Sequence, residues 1–240
     1  MKPPNQSTRY TCPVRIRQQH TWPATPAEAI ALQKQLAPQV ILQGDPPEAG
    51  VRTVAGCDLA FLDRGRKAAL ARAAVVLLSY PGLQPVEQRV VVSPVTFPYV
   101  PGLLAFREVP CLLRAFERLE RVPDLLLADG NGYAHPRRFG IACHLGLLLD
   151  IPTIGVAKSR LIGRHEEPSP AAGSRAELHD GDELIGAVLR TRASVRPLYV
   201  SPGHRIGFGP AADWVLRLSR GYRLPEPTHL ADRLSKGLPL

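Results

Sequence analysis

The chain has 240 residues, 45% of them hydrophobic, with a formal net charge of +9 and a pI near 9.8. That length carries one sizeable domain with a real core, and the basic balance favours an anionic partner. No apolar run approaches the ~20 residues that span a bilayer, so nucleic acid fits the charge better than a membrane. The N-terminus MKPPNQSTRYTC lacks an apolar signal core, and Cys12, Cys57, Cys111 and Cys143 form no CxxC pair. Both features predict a cytoplasmic protein with reduced thiols and no structural zinc. Five of the 30 basic residues are lysine and the rest arginine, a choice that suits phosphate contacts. A codon bias that also enriches Ala, Pro and Gly would give the same arginines.

Residues 1–20 are polar and basic and read as a loosely held arm ahead of one domain over residues 21–240. TPAEAIALQKQLA then predicts a helix: Thr25 can cap it, Pro26 takes the first helical position and Glu28 completes a capping box. VRTVAGCDLAFL (51–62) predicts a buried strand with an acid in its middle. ALARAAVVLLSY and PVEQRVVVSPV predict two more, turned at Pro81-Gly82 and so antiparallel neighbours. From Gly102 the apolar period becomes helical, and Pro110 inside that pattern predicts a break or kink. DLLLADG, RFGIACHLGLLLDI and PTIGVAK follow as strand, helix and strand, a parallel crossover. Residues 164–182, rich in Pro, Gly, Ser, Glu and Asp, read as an exposed loop. DELIGAVLRTR and RPLYVSPG predict short strands, and GPAADWVLRLSRGY a last helix. The order predicts one α/β domain built on a mixed sheet.

Between the third strand and the helix lies Pro98-Tyr99-Val100-Pro101. Two ring-locked φ angles and two missing donors exclude a core strand and predict a stiff, exposed hook with an aromatic at its tip.

Three acids stand out: Asp58 inside the first apolar strand, Asp129 at the end of another, and Glu108 on the helix after the hook. A carboxylate in a buried strand is costly unless paired. Asp58 and Asp129 both lie in strands with small residues nearby, Gly56 and Gly130, and either ion-pair with arginine or hold a divalent metal. Carboxylate oxygens suit Mg²⁺ or Mn²⁺, which on a basic protein points to phosphodiester hydrolysis. In DGNGYAHPRRFGIA (129–142), His135 reads as a general acid or base, or as a capping or surface residue. Arg137 and Arg138 fall at the predicted start of the next helix, where phosphate would also meet amide donors. Lys158, closing PTIGVAK, belongs at the same sheet edge as Asp129, as an active-site cation or a snorkelling side chain.

AGCDLAF, FPYVPGLLAFRE, LLLADGNGYAHPRRFGIACHLG, PTIGVAKSRLIG and VSPGHRIG, in this order, resemble the endonuclease V family from about residue 52 to 234. The resemblance implies a ribonuclease H-like fold and a catalytic domain over residues 21–240. It implies an Mg²⁺-dependent enzyme, with Mn²⁺ as substitute, that nicks DNA at the second phosphodiester bond 3′ to deoxyinosine; some members prefer inosine in RNA. A monomer is expected. It makes Asp58, Glu108 and Asp129 metal carboxylates and places His135 and Lys158 around the scissile phosphate. It aligns His229, in EPTHLADRLSK, with a position that is Asp in some members, as ligand or water-holder. It makes the hook from Pro98 to Pro101 a wedge beside a flipped base, whose pocket wall is Gly102, Leu104, Gly130 and Ile141. Cys57 sits where many members carry valine, with no chemistry attached. A ribonuclease H-like nuclease for branched or hybrid structures would need no wedge, and a non-catalytic binding module would need no acid set.

Overall fold

The computed structural model describes residues 14–17, 20–62 and 69–240. Strand alternation decides its architecture. In LLLAD, Leu125 and Leu127 join one core cluster while Leu126 and Ala128 join another, so this strand is buried on both faces. It is β4 (Leu125–Asp129) in an eight-stranded sheet with β1 (Thr53–Phe61), β2 (Ala69–Ser79), β3 (Pro85–Val95), β5 (Thr153–Ala157), β6 (Arg175–Asp180), β7 (Glu183–Leu189) and β8 (Leu198–His204). The order is β3-β2-β1-β4-β5-β8-β7-β6. β1, β4 and β5 run parallel, and the other neighbours pair antiparallel. This is the single α/β domain built on a mixed sheet that the residue order predicts.

One face is covered by α2 (Leu104–Phe116) and α3 (Ile141–Leu149), through Val109, Leu112, Phe116, Leu145 and Leu148. The other is covered by α4 (Phe208–Arg217) and α5 (Glu226–Ser235), through Trp214, Val215, Ala231 and Leu234. The first helix, α1 (Pro26–Leu36), carries the expected capping box: Thr25 Oγ1 accepts from Glu28 N, and Glu28 Oε2 accepts from Thr25 N.

Several expectations are corrected. α2 runs unbroken past Pro110. One proline costs about 3 kcal/mol, whereas nine buried residues on this helix, each worth about 1.5–3 kcal/mol when large and apolar, hold it on the sheet. Within 164–182, six residues form the edge strand β6, with only Leu178 buried. So polar a strand is indistinguishable from a loop by pattern. α4 is followed by another helix, α5, whose Pro227 lies in the first turn, where no N–H is needed. Arg137 and Arg138 lie in the turn before α3, whose cap is Gly140. Where it is described, the arm is anchored: Val14 is buried, Arg17 N donates to Leu148 O, and His20 stacks on His144. Residues 1–13, with Cys12, and 18–19 lie outside the described residues, while Cys57, Cys111 and Cys143 are free and buried. Among the described residues no helix is long and apolar enough to cross a membrane.

Candidate active site

Register brings the acids together. Cys57 pairs with Ala128 across the parallel β1–β4 ladder, so Asp58 and Asp129 follow side by side. Asp129 pairs with Val156, two residues before Lys158. Period-two alternation turns all three side chains to the face that α5 covers. α5 approaches closely because β1 has no side chain at Gly56: a Cβ there would lie 2.0 Å from Pro227 O. From this helix Asp232 enters the cluster, so that one carboxylate oxygen from each of Asp58, Asp129 and Asp232 lies within 4.8 Å of the others. Ser235, one turn on, is buried and donates to Asp58 Oδ2 at 2.5 Å. Lys158 Nζ donates to Asp129 Oδ2 at 2.5 Å and to Asp232 Oδ1 at 2.8 Å.

Negative charge exceeds its compensation here. Burial and then Asp129 push the Asp58 carboxyl up to about 7. Burial, with Asp58 and Asp129, holds buried Glu108 of α2 well above the usual carboxylate range. Burial alone would lower Lys158, but Asp129 and Asp232 outweigh it and raise its pKa. Burial likewise opposes ionisation of Asp232, yet bonds from Lys158 and Lys236 keep it below the usual value. Three hard oxygen donors in reach of one another, beside a fourth acid and one shared lysine, form a set that can hold a metal ion.

The acids and Lys158 lie in an open cavity of about 900 Å³. Another part of its wall comes from the hook and the start of α2: Tyr99, Val100, Pro101, Gly102 and Leu104. Gly130 and Ile141 also line it and touch: a Cβ on Gly130, whose φ is +143°, would lie 2.7 Å from Ile141 Cγ2. The hook is irregular and its tip is solvent-facing, Tyr99 being 70% exposed. Its foot is buried: Phe97 and Leu103 pack with Phe106 and with Ala29 of α1.

Four of the sequence-assigned residues stand elsewhere. Pro98 does not line the cavity. Arg138 is ion-paired with Asp180 and Glu183 of the β6–β7 hairpin. Arg137 is turned under the hook, with its Nη2 donating to Gly102 O at 2.7 Å. His229 stacks on Tyr222, with ring centroids 4.0 Å apart, while Asp232 from the same helix supplies the carboxylate. His135 lines the cavity with both ring nitrogens bonded, to Gly102 O at 2.9 Å and to Arg137 N at 3.2 Å. Burial, then Arg137, lowers its pKa to about 4, so the ring is neutral at pH 7. Asp232 and Ser235 escaped the sequence reading because no helix was assigned there; a period of three to four through Thr228, Ala231, Leu234 and Ser235 was the available signal.

The family model described as Endonuclease V matches residues 34–233 of this chain. The chain belongs to the endonuclease V family. An endonuclease V of Gloeobacter violaceus is 54% identical over 217 residues, covering 90% of this chain and 87% of that protein. The crystal structure of the Streptomyces avermitilis endonuclease V is 44% identical with a TM-score of 0.85, covering 93% of this chain and 96% of that one. The Ciona intestinalis endonuclease V, 28% identical with a TM-score of 0.75 over 88% of this chain and 96% of that one, was crystallised with a 24mer DNA containing an inosine followed by a ribo-adenosine. For a member of the endonuclease V family, the acid cluster at the carboxyl ends of β4 and β5 is the candidate catalytic centre, and the hook above it the candidate reader of the nucleic acid.

Proposed function

We propose that this endonuclease recognises deoxyinosine in DNA and nicks the second phosphodiester bond 3′ to it, leaving the base in place for later repair. The observation that carries this is the shared cavity: an exposed aromatic hook on one wall and a metal-binding acid set on the other. Asp58, Asp129 and Asp232 would hold Mg²⁺, or Mn²⁺ in its place, with Glu108 beside them. Bound there, the ion would polarise the phosphodiester and make hydroxide available near neutral pH. The chain's own residues do the rest. Lys158, its side chain 39% exposed between two acids, offers a fixed cation to the phosphate. Tyr99 fills the stack that the extruded base vacates, recovering about 1–3 kcal/mol of the extrusion cost. Gly102, Leu104, Gly130 and Ile141 wall the space for that base, as the family resemblance implies. We assign the catalytic domain to residues 21–240, as a monomer working in the cytoplasm.

A second reading, incision of inosine-containing RNA, is favoured by the ribo-adenosine beside the inosine in the Ciona complex. Matched DNA and RNA strands, each with one inosine, incubated with Mg²⁺ and mapped for nick position, separate the two. Cleavage of both inosine strands no faster than that of inosine-free controls would remove the proposal.

A further inference from the structure

One backbone carbonyl beneath the hook receives three side-chain donors. Gly102 O accepts from Gln33 Nε2 at 3.1 Å, from His135 Nε2 at 2.9 Å and from Arg137 Nη2 at 2.7 Å. A carbonyl oxygen has two lone pairs, so its acceptor capacity is oversubscribed and its direction set. The His135 ring completes the lock, because its Nδ1 accepts from Arg137 N and its proton therefore sits on Nε2. Gln33 is fully buried with both amide hydrogens in use and its oxygen bonded: Nε2 also donates to Phe139 O at 3.0 Å, and Oε1 accepts from Arg137 Nε at 2.5 Å. One amide thus joins α1, the hook and the turn ahead of α3.

The bonded carbonyl belongs to a tight turn. Leu103 N donates to Val100 O at 3.0 Å, Pro101 and Gly102 are its central residues, and Gly102 has φ +76°, as a type II turn requires. A Cβ at Gly102 would lie 2.9 Å from Arg137 Nη2, so glycine is required here both for the turn and for the donor. One turn before Gln33, Ala29 of α1 packs on Phe97 and Leu103 at the hook's foot. The exposed Tyr99 tip therefore stands on a root fixed from two sides.

We infer that Gln33, His135 and Arg137 form a clamp on the Gly102 carbonyl that sets the hook in place before DNA arrives, with Gln33 a positioning residue for base extrusion. This rests on the inosine-directed reading above. It gives His135 a neutral, donating role instead of proton transfer.

The test uses the full chain. In Gln33→Met the volume survives but all three hydrogen bonds vanish. Without DNA, amide exchange over residues 97–106, read by mass spectrometry, should accelerate about 10-fold or more, while Mn²⁺ affinity stays at the wild-type value. Single-turnover nicking of an inosine duplex should slow about 10- to 100-fold, and that of an inosine single strand by much less. Base extrusion, followed by 2-aminopurine beside the inosine in Ca²⁺, should fall with it. Unchanged exchange, or equal loss on duplex and single strand, would overturn the clamp. His135 gives a second decision should Gln33→Met fold poorly. A glutamine amide reaches about as far as Nε2, so His135→Gln should nick duplex faster than His135→Ala and keep the wild-type pH–rate profile. His135→Gln as slow as His135→Ala would restore a proton-transfer role and end the inference. A wild-type protein inert on inosine would sink the functional reading alone; the exchange arm would still decide the clamp.

Discussion

The two walls of the cavity are built on opposite electrostatic terms. At the hook's root polar side chains from α1 and from the turn ahead of α3 converge, with three donors on one carbonyl. In the same cavity, Asp58, Asp129 and Asp232 converge beside Glu108, with Lys158 shared between Asp129 and Asp232, and two of the four acids resist ionisation. Saturated hydrogen bonding makes a part that does not move. Uncompensated charge makes a part whose stability awaits a cation. Under the proposed function, rigidity stands where a base would be wedged out and electrostatic need where a metal and a phosphate would be held.

The sharpest way to break this contrast is to neutralise the open wall. Asp58→Asn or Asp129→Asn should lower single-turnover nicking by at least about 10³-fold, since a neutral amide is a poor ligand for a hard ion. Binding of inosine DNA, followed by gel shift in Ca²⁺, should persist. Near-normal cleavage by either variant would remove that residue from the catalytic set.

Asp232→Asn tests the acid that only the fold supplied. It should slow nicking about 100-fold and weaken Mn²⁺ binding measured by calorimetry. Part of the loss comes from releasing Lys158, which bonds both Asp129 and Asp232. Wild-type Mn²⁺ affinity in this variant would confine the metal site to Asp58 and Asp129.

The same excess charge predicts an unusual pH dependence of stability. Asp58 titrates near 7 in the folded protein but at about 4 when unfolded. Between those values the folded state binds the extra proton, so metal-free stability falls as pH rises from about 4 to 7. The contribution is of order 1–4 kcal/mol. Thermal melts in chelator should show it, while Mg²⁺ or Asp58→Asn should flatten it. A metal-free melting temperature that rises through this window in the wild type alone would contradict the picture of an uncompensated site.

Smaller effects belong to the hook's tip. Tyr99→Ala should cost about 10-fold on duplex inosine and less on single strands, where extrusion is nearly free. Tyr99→Phe should keep most activity because the stacking face survives. Equal losses on both substrates would place Tyr99 in the chemistry and erase the division between the walls.

Much of this was legible in local residue order. Alternation in TVAGCDLAF and LLLAD marked strands with acids that core packing alone would not retain, and their spacing from glycine hinted at a site. The capping box around Thr25 and the prolines around Tyr99 dictate their conformations through φ, donors and caps, which are local properties. What tertiary structure decided lies in contacts far apart in sequence. Asp232 reaches the cluster because Gly56, over 170 positions earlier, lets α5 lie against β1. His229 and Arg138 carry the chemistry of a site but face Tyr222 and the β6–β7 acids, since helix phase and hairpin placement, not residue type, choose a side chain's neighbours. Gln33 gave no signal in the chain, being one polar residue on a short helix; its role exists only where three segments meet at a single carbonyl.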